Sequence, residues 1–315
     1  MSDPLGAEAE GAPLPVIVNA SAGLDRDAIA DRVAVALREG GVAALVEAVS
    51  PDRLVGRLTE GVRSGWRRVA VAGGDGTMLT AAGILAGGPV ELAPVPTGTL
   101  NHFARRLGID DLASAAGAMR EGAVAEVPLG VMDDRVFLNT ATFGLYADVV
   151  RRRERLRRNL TKWPAAAVAF VMTLARLRTM DITLLVDGER LERTTSLVWV
   201  GVGWGSFPLV HQAPERRARP DLEIVILKPA GALRSLALMG RILAQVRRRD
   251  QPIRDRDLEV LHARQLLIHS QRRIGVTLDG EVMRCDPPIL IAVADGALRV
   301  VAPGGTAASG TSPEG

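Results

Sequence analysis

The first 128 residues alternate short apolar runs with stretches whose apolar positions recur at helical spacing. We predict strands at 15–19, 42–49, 67–72 and 90–96, and helices at 25–38, 52–63, 99–107 and 111–121, with a further helix of small residues directly after residue 77. Strands that alternate with helices indicate a parallel sheet with both faces covered. The N-terminal part is therefore predicted to be an α/β domain.

After about residue 128 the pattern changes to many short strands separated by turns. We predict strands at 135–142, 182–187, 195–202, 222–228, 258–262, 265–270, 274–279, 288–294 and 297–301, interrupted by helices at about 150–178 and 232–248. Consecutive short strands are typical of an antiparallel sandwich or barrel.

Composition narrows the class of protein. The chain has 315 residues, 47% of them apolar and 24% charged, which is typical of globular domains. Its single cysteine, Cys285, excludes an intrachain disulfide and a cysteine-rich zinc site. No apolar run reaches about 18 residues, and the first fifteen residues lack the apolar segment of a signal peptide. We therefore expect a cytoplasmic protein.

Positive charge is concentrated in one segment. Residues 151–178 contain nine arginine or lysine residues and one glutamate, whereas the whole chain carries a net charge of +3. Basic runs are found at nucleic-acid interfaces, at anionic membranes and on solvated faces. No nucleic-acid-binding motif accompanies this run, so we predict no nucleic-acid partner.

A glycine-rich loop follows the predicted strand 67–72. Its sequence is Gly73-Gly74-Asp75-Gly76-Thr77, and a helix is predicted to follow it. Glycines let the backbone approach phosphate oxygens, and the start of a helix attracts anions. Asp75 would suit such a loop if it held Mg²⁺ or acted on an attacking hydroxyl, and Thr77 could donate to phosphate. A tight turn with a capping aspartate is the simpler alternative.

A second loop of this kind follows the next predicted strand. It reads Pro96-Thr97-Gly98-Thr99-Leu100-Asn101, and Thr99 and Asn101 are placed at a predicted helix start, where they could cap the helix or contact a nucleotide. Two such loops after successive strands would face the same crevice.

Together these motifs resemble the catalytic domain of the diacylglycerol kinase family, which includes bacterial lipid kinases and is related to sphingosine and ceramide kinases. The resemblance rests on Asn19-x-Ser21-x-Gly23, on the two glycine loops, on Phe137-Leu138-Asn139 and on Leu278-Asp279-Gly280-Glu281, and it extends over about residues 15–301.

The resemblance implies a three-layer α/β nucleotide-binding kinase domain with a phosphofructokinase-like crevice at 13–128, followed by a β-sandwich lipid-substrate domain at 129–295. It also implies that residues 296–303 return to the first domain. By composition, residues 1–12 and 304–315 are predicted to be disordered tails.

The resemblance further implies an ATP- and Mg²⁺-dependent kinase that phosphorylates a lipid hydroxyl. ATP would contact Asn19, Gly73, Gly74, Asp75, Gly76, Thr77, Gly98, Thr99 and Asn101. The implied catalytic carboxylates are Asp279 and Glu281, either of which could be the base, and Asp75, linked to Mg²⁺. The lipid would be reached by peripheral contact with the anionic inner face of the cell membrane, and a homodimer is left open.

The chain departs from the family pattern at several places. Ala20 and Ala22 replace the usual proline and serine of the opening motif, and His102 stands where an aspartate is usual. The loop 218–223 lacks the glycine found where some members bind a structural Mg²⁺. We therefore assign no structural metal site.

Several alternatives stay open. A second Asp-Gly-Glu, at Asp187-Gly188-Glu189, is predicted to be only a hairpin turn, and the same could be true of Asp279-Gly280. The rival functions are an NAD-kinase-like enzyme and a non-catalytic nucleotide- or lipid-binding module. The acceptor could be diacylglycerol, phosphatidylglycerol, a sphingoid base, ceramide or a polyprenol.

Overall fold

The computed structural model describes residues 12–20, 26–144, 179–202, 221–229 and 257–304. It divides the chain into two units, Met1–Leu129 with Ala294–Gly315, and Gly130–Val293. The helices predicted at about 150–178 and 232–248 lie outside the described residues, as do most of the two predicted tails.

The first unit is a parallel sheet with helices. Its elements are β1 Leu14–Asn19, α1 Arg26–Glu39, β2 Ala44–Val49, α2 Pro51–Arg63, β3 Arg68–Gly73, α3 Asp75–Leu85, β4 Glu91–Pro96, α4 His102–Arg106, α5 Leu112–Glu121, most of β5 Ala123–Met132 and the last part of β16 Ile289–Ala302. The strand order is β2-β1-β3-β4-β16, and each neighbouring pair is parallel.

Burial explains why these segments form the centre of the sheet. Positions 16–18 of β1, 69–73 of β3 and 92–96 of β4 are all buried, as expected for strands that are covered on both faces. Helix α3 presents Ala81 and Ala82, both fully buried, and such small side chains allow close packing. The predicted α/β class is therefore confirmed.

Strand β16 brings the end of the described chain into the first unit. Val300 pairs with Leu92 of β4, and Arg299 Nη2 lies 2.9 Å from Glu91 Oε1. Arg68 contacts the other carboxylate oxygen of Glu91 at 2.7 Å. Burial opposes ionisation of Glu91, but the hydrogen bonds from Arg299 and Arg68 outweigh it and hold the pKa of Glu91 below its ordinary value.

The second unit is an antiparallel sandwich. Its elements are β6 Arg135–Phe137, β7 Thr140–Gly144, β8 Met180–Val186, β9 Glu189–Thr195, β10 Leu197–Val202, β11 Leu222–Leu227, β12 Leu258–Ala263, β13 Gln265–His269, β14 Ile274–Leu278 and β15 Glu281–Cys285, together with the first residues of β16. One sheet has the order β12-β11-β10-β7-β14-β15, and the other joins β16, β13, β8 and β9.

The two sheets of the second unit share one apolar core. Phe143 of β7 and Val276 of β14 contribute from the first sheet, and Leu184 of β8, Ile268 of β13 and Ile291 of β16 contribute from the second. All five side chains are fully buried. This arrangement confirms the predicted sandwich.

Several predicted boundaries were wrong. The strand predicted at 135–142 is two strands, β6 and β7, and the strands predicted at 288–294 and 297–301 are one strand, β16, with Gly296 at a φ of +55°. The helix predicted at 99–107 begins only at His102, because Asn101 adopts a left-handed conformation with a φ of +52°. Strands β5, β9 and β15 were not predicted as separate elements.

Candidate functional site

The two glycine loops lie against each other at one edge of the first unit's sheet. They follow the carboxyl ends of β3 and β4, which are parallel neighbours. A Cβ atom at Gly98 would lie only 2.4 Å from Gly74 Cα, so no larger residue fits at position 98 without moving one loop. Thr97 N–H also donates to Gly73 O at 3.3 Å. The predicted proximity of the loops is therefore observed.

Asn101 fixes the shape of the second loop. Its Oδ1 accepts a hydrogen bond from Gly98 N–H at 3.0 Å, and its Nδ2 donates to Gly98 O at 2.9 Å. Asn101 is the residue before α4, but its side chain does not cap that helix. Of the two alternatives for Asn101, helix capping is therefore excluded, because the side-chain amide already closes the loop on Gly98.

The carboxylate of Asp75 performs the capping instead. Asp75 is the first residue of α3, and its Oδ1 accepts from Phe103 N–H, in the first turn of α4, at 3.0 Å. No partner for Oδ2 is seen within the described ranges. The sequence could not reveal this bond, because its donor is a backbone group 28 positions away.

Thr77, in the first glycine loop, is hydrogen-bonded to Asn19 at the end of β1. Asn19 Nδ2 donates to Thr77 Oγ1 at 2.8 Å, which leaves the hydroxyl proton of Thr77 available for another acceptor. A Cβ at Gly73 would collide with the Thr77 side chain, so Gly73 lets the threonine pack directly against the loop. Asn19 Oδ1 is buried and has no hydrogen-bond partner among the described residues. A bound donor could satisfy that oxygen.

The start of α3 offers free hydrogen-bond donors. Its first bonded amide is that of Met78, which donates to Gly74 O at 3.1 Å. The amides of Asp75, Gly76 and Thr77 therefore have no partner within the helix, as is usual for a first turn. Gly76 is exposed, with nothing within 4 Å of the position of a Cβ, and Thr99 is exposed on the neighbouring loop. Free amides beside glycines form an anion-binding site.

Asp279 and Glu281 belong to the second unit, on the β14–β15 hairpin. Both oxygens of Asp279 accept backbone hydrogen bonds: Oδ2 from Leu138 N–H at 2.6 Å, and Oδ1 from Asn139 N–H at 2.9 Å and Thr140 N–H at 2.8 Å. Glu281 is exposed and has no partner within the described ranges. Of the two, Glu281 has the carboxylate that is available for chemistry.

The first Asp-Gly-Glu is also a hairpin turn, as predicted. It joins β8 to β9, and Val186 pairs with Glu189 across it. Asp187 Oδ1 accepts from the backbone amides of Arg264 at 3.0 Å and Gln265 at 2.9 Å.

No group of three or more His, Cys, Asp or Glu side chains that could hold a metal ion occurs among the residues described. Over the same residues, no helix has the length and apolar character needed to cross a bilayer. The basic segment 151–162 and residues 218–220 of the loop 218–223 lie outside the described residues.

Comparison with protein families assigns both parts of the chain. Residues 13–132 match the diacylglycerol kinase catalytic domain, and residues 139–302 match the YegS C-terminal NAD kinase beta sandwich-like domain. A YegS-like lipid kinase of Pseudomonas putida is 30% identical over 200 residues, covering 60% of this chain and 66% of the relative, slightly under two thirds of its length. A diacylglycerol kinase of Bacillus subtilis is 25% identical over 220 residues, which cover 68% of this chain and 70% of the relative's length.

Solved structures show the same fold. Two crystal structures of Bacillus anthracis proteins described as diacylglycerol kinases superpose with TM-scores of 0.71 and 0.66. Their sequence identities are 22% and 19%, and each comparison covers 95% of this chain and all of the other. The chain therefore belongs to the family that combines a diacylglycerol kinase catalytic domain with a YegS C-terminal NAD kinase beta sandwich-like domain.

Proposed function

We propose that this chain transfers the γ-phosphate of ATP to a hydroxyl group of a lipid such as diacylglycerol. Family membership supports the reaction class. The observation that carries the proposal is the set of free amides at the start of α3, placed beside a second glycine loop that Gly98 and Asn101 hold in contact with it. Such backbone donors suit the oxygens of a polyphosphate.

The nucleotide would be bound largely by backbone groups. Gly73–Thr77 would surround phosphate oxygens, and Gly98 and Thr99 would contact them from the neighbouring loop. Asn19 Oδ1, which is buried and has no partner in the described part of the chain, could accept a hydrogen bond from the nucleotide. Phosphoryl transfer depends mainly on positioning and on stabilisation of charge, so a rigid backbone site fits the reaction.

Asp75 is our candidate for holding Mg²⁺. One of its oxygens is fixed by Phe103 N–H and the other is without a described partner, so the carboxylate is oriented but still has a free ligand atom. Magnesium ions in kinases are usually bound by one or two carboxylates together with substrate phosphates and water. When bound, the ion would neutralise negative charge on the phosphates.

Glu281 is our candidate for the general base. Its carboxylate would take the proton of the lipid hydroxyl while the hydroxyl oxygen bonds to the γ-phosphorus and ADP leaves. Asp279 would act as a positioning residue, since both its oxygens already accept hydrogen bonds from the backbone at 138–140. A positioned base contributes about 10²–10⁴ in rate.

The acceptor lipid would be met at a membrane surface. The basic segment 151–162 remains a predicted contact with anionic lipid, where each basic group near the surface contributes about 1 kcal/mol. This contact and a cytoplasmic location at the inner face of the cell membrane are part of the proposal.

A phosphorylation assay tests the reaction. Purified protein with Mg²⁺ and labelled ATP is offered diacylglycerol, phosphatidylglycerol, a sphingoid base, ceramide and undecaprenol in mixed micelles, with NAD in a separate arm. We expect label in a lipid. Label in NAD would identify the NAD-kinase-like alternative, and no label in any acceptor would favour the non-catalytic module.

A glycine substitution tests the nucleotide site separately. Gly98→Ala places a methyl group against Gly74 Cα, so we expect it to abolish the rise in melting temperature that Mg-ATP produces by binding the folded state. Gly117→Ala, in α5 with nothing within 4 Å of the added methyl, is the matched control and should keep the full rise. Equal responses of the two variants would refute the two-loop site.

A further inference from the structure

A cavity of about 1040 Å³ opens within the second unit and takes no part in the roles described so far. Its walls come from β8 and β9, from the loop that joins β13 to β14, and from β15. The described residues that line it all belong to Gly130–Val293.

Two adjacent glycines occupy one side of this cavity. Val276 of β14 pairs with Phe143 of β7, so the next residues along these antiparallel strands, Gly275 and Gly144, are neighbours across the sheet. Gly275 pairs on its other side with Arg284 of β15. Both glycines and Arg284 line the cavity. Arg284 therefore lies beside these two glycines in the wall of the cavity.

The charges that remain uncompensated around the cavity are mainly positive. Arg193 is paired with Glu259 and Arg273 with Asp286. Arg272 and Arg284 are exposed, and neither has an ion-pair partner among the residues described. These two arginines are thus available to an external anion.

The two acidic residues in the lining are engaged elsewhere. Asp181 accepts a hydrogen bond from Thr194 Oγ1 at 2.6 Å, and Glu192 contacts Arg190 at 2.7 Å. Asp181 still carries a negative charge that repels anions. An anion that contacts both Arg272 and Arg284 is therefore bound more strongly than one that contacts a single arginine.

We propose that this cavity binds a phosphate group, as a phosphomonoester or phosphodiester, between Arg272 and Arg284. Guanidinium groups bind phosphate oxygens through two parallel hydrogen bonds. The phosphate could belong to a phospholipid headgroup or to a soluble phosphoester.

Two binding measurements on the full chain test the site, and neither depends on turnover. The first titrates inorganic phosphate by calorimetry at constant ionic strength. The second measures co-sedimentation with vesicles of phosphatidylcholine, with and without phosphatidylglycerol. Each compares the native chain with Arg272→Gln/Arg284→Gln. Phosphate bound at the glycine loops is common to both proteins and cancels in the comparison.

The control removes the same charge elsewhere. Arg53→Gln/Arg63→Gln changes two exposed arginines of α2 that likewise have no ion-pair partner in the described chain. We expect the cavity variant to bind phosphate at least about tenfold more weakly, which corresponds to about 1.4 kcal/mol, and the control to stay within about twofold of the native chain. Arg284→Gln alone should give an intermediate loss if the double variant folds poorly.

The vesicle arm identifies the source of the phosphate. Loss of binding to phosphatidylglycerol in the cavity variant, together with loss of inorganic phosphate, assigns the site to a lipid headgroup. Loss of inorganic phosphate alone assigns it to a soluble phosphoester. Unchanged binding of both probes by the cavity variant, or an equal loss in the control, would overturn the proposal.

Discussion

The same three residues, Asp-Gly-Glu, form two hairpin turns in the second unit, and the two turns have nearly the same backbone. Asp187 and Asp279 have φ values of +49° and +45°, and Gly188 and Gly280 have φ values of +91° and +97°. In each turn the aspartate side chain accepts hydrogen bonds from the backbone of another segment. What differs is that segment: Asp187 binds the start of β13, whereas Asp279 binds residues 138–140.

This comparison shows that the tripeptide by itself specifies a turn rather than a catalytic site. In both hairpins the aspartate is committed to backbone amides, and the glutamate is the carboxylate without a described partner. We assign the base to Glu281 and a positioning role to Asp279 because, in this hairpin, the aspartate carboxylate is already hydrogen-bonded and the glutamate carboxylate has no described partner. Glu281 alone is assigned chemistry, because it follows the turn that organises the Leu138–Thr140 segment.

The largest expected difference between the hairpins is in turnover. Glu281→Gln should lower kcat for lipid phosphorylation by about 10²–10⁴, because the base is lost while ATP binding is retained. Glu189→Gln, the same change in the first hairpin, should leave kcat unchanged. Steady-state assays with saturating ATP measure both. Equal effects of the two substitutions would remove the functional distinction between the hairpins.

The next difference is in stability. Asp279→Ala removes the acceptor of three partly buried amides, and unsatisfied buried donors are costly, so we expect a loss of roughly 3 kcal/mol in the free energy of unfolding. Asp187→Ala frees amides in an exposed setting, where water can replace the carboxylate, and should cost about 1 kcal/mol. Urea denaturation measures both values. A smaller loss for Asp279→Ala than for Asp187→Ala would contradict the structural role.

The glycines of the two turns should respond alike. Gly188→Ala and Gly280→Ala each force an L-residue into positive φ, at a cost of about 1–2 kcal/mol, and neither new methyl group meets an atom within 4 Å. Thermal denaturation of the two variants should therefore give similar shifts. A large difference would show that the two turns are not equivalent in backbone energy.

The smallest effect concerns the strand after the first hairpin. Arg193 of β9 donates two hydrogen bonds to Glu259, at 2.9 and 2.7 Å, and these bonds hold the pKa of Glu259 below its ordinary value of 4.5 against the opposing effect of burial. A carboxylate with a lowered folded-state pKa stabilises the protein above its unfolded pKa, and this contribution is lost as the pH falls through the folded pKa.

Arg193→Gln should therefore reduce stability at neutral pH by less than about 1 kcal/mol, since the pair is partly exposed, and the difference from the native chain should shrink below about pH 4.5. Arg190→Gln, which breaks the exposed pair with Glu192, is the control and should show no such pH dependence. A difference that grows towards acid pH would contradict the assignment.

Local patterns predicted most of the fold because they act within a few residues. Buried runs such as 69–73 identify central strands without knowledge of the rest of the chain. Asp-Gly pairs favour tight hairpin turns, so the turn at 187–188 could be predicted too. The late start of α4 could not, because it depends on Asn101 closing the loop on Gly98.

The hydrogen-bond partners of Asp279 and Asp75 could not be predicted from the sequence, for a different reason. Asp279 contacts backbone amides about 140 positions away, and Asp75 contacts one 28 positions away. Backbone amides leave no signature in the sequence. Asp133, also at positive φ, binds Leu290 N–H at 3.1 Å in the same manner, and nothing in its local sequence indicates that partner.

The pH dependence of kcat tests the central claim most directly. A general base that must be ionised gives an acid limb to the profile, so the limb should disappear in Glu281→Gln and persist, at a lower plateau, in Asp279→Asn. Both variants are measured with saturating ATP and diacylglycerol after their folding has been verified. An acid limb that persists in Glu281→Gln and disappears in Asp279→Asn would contradict the account and make Asp279 the base.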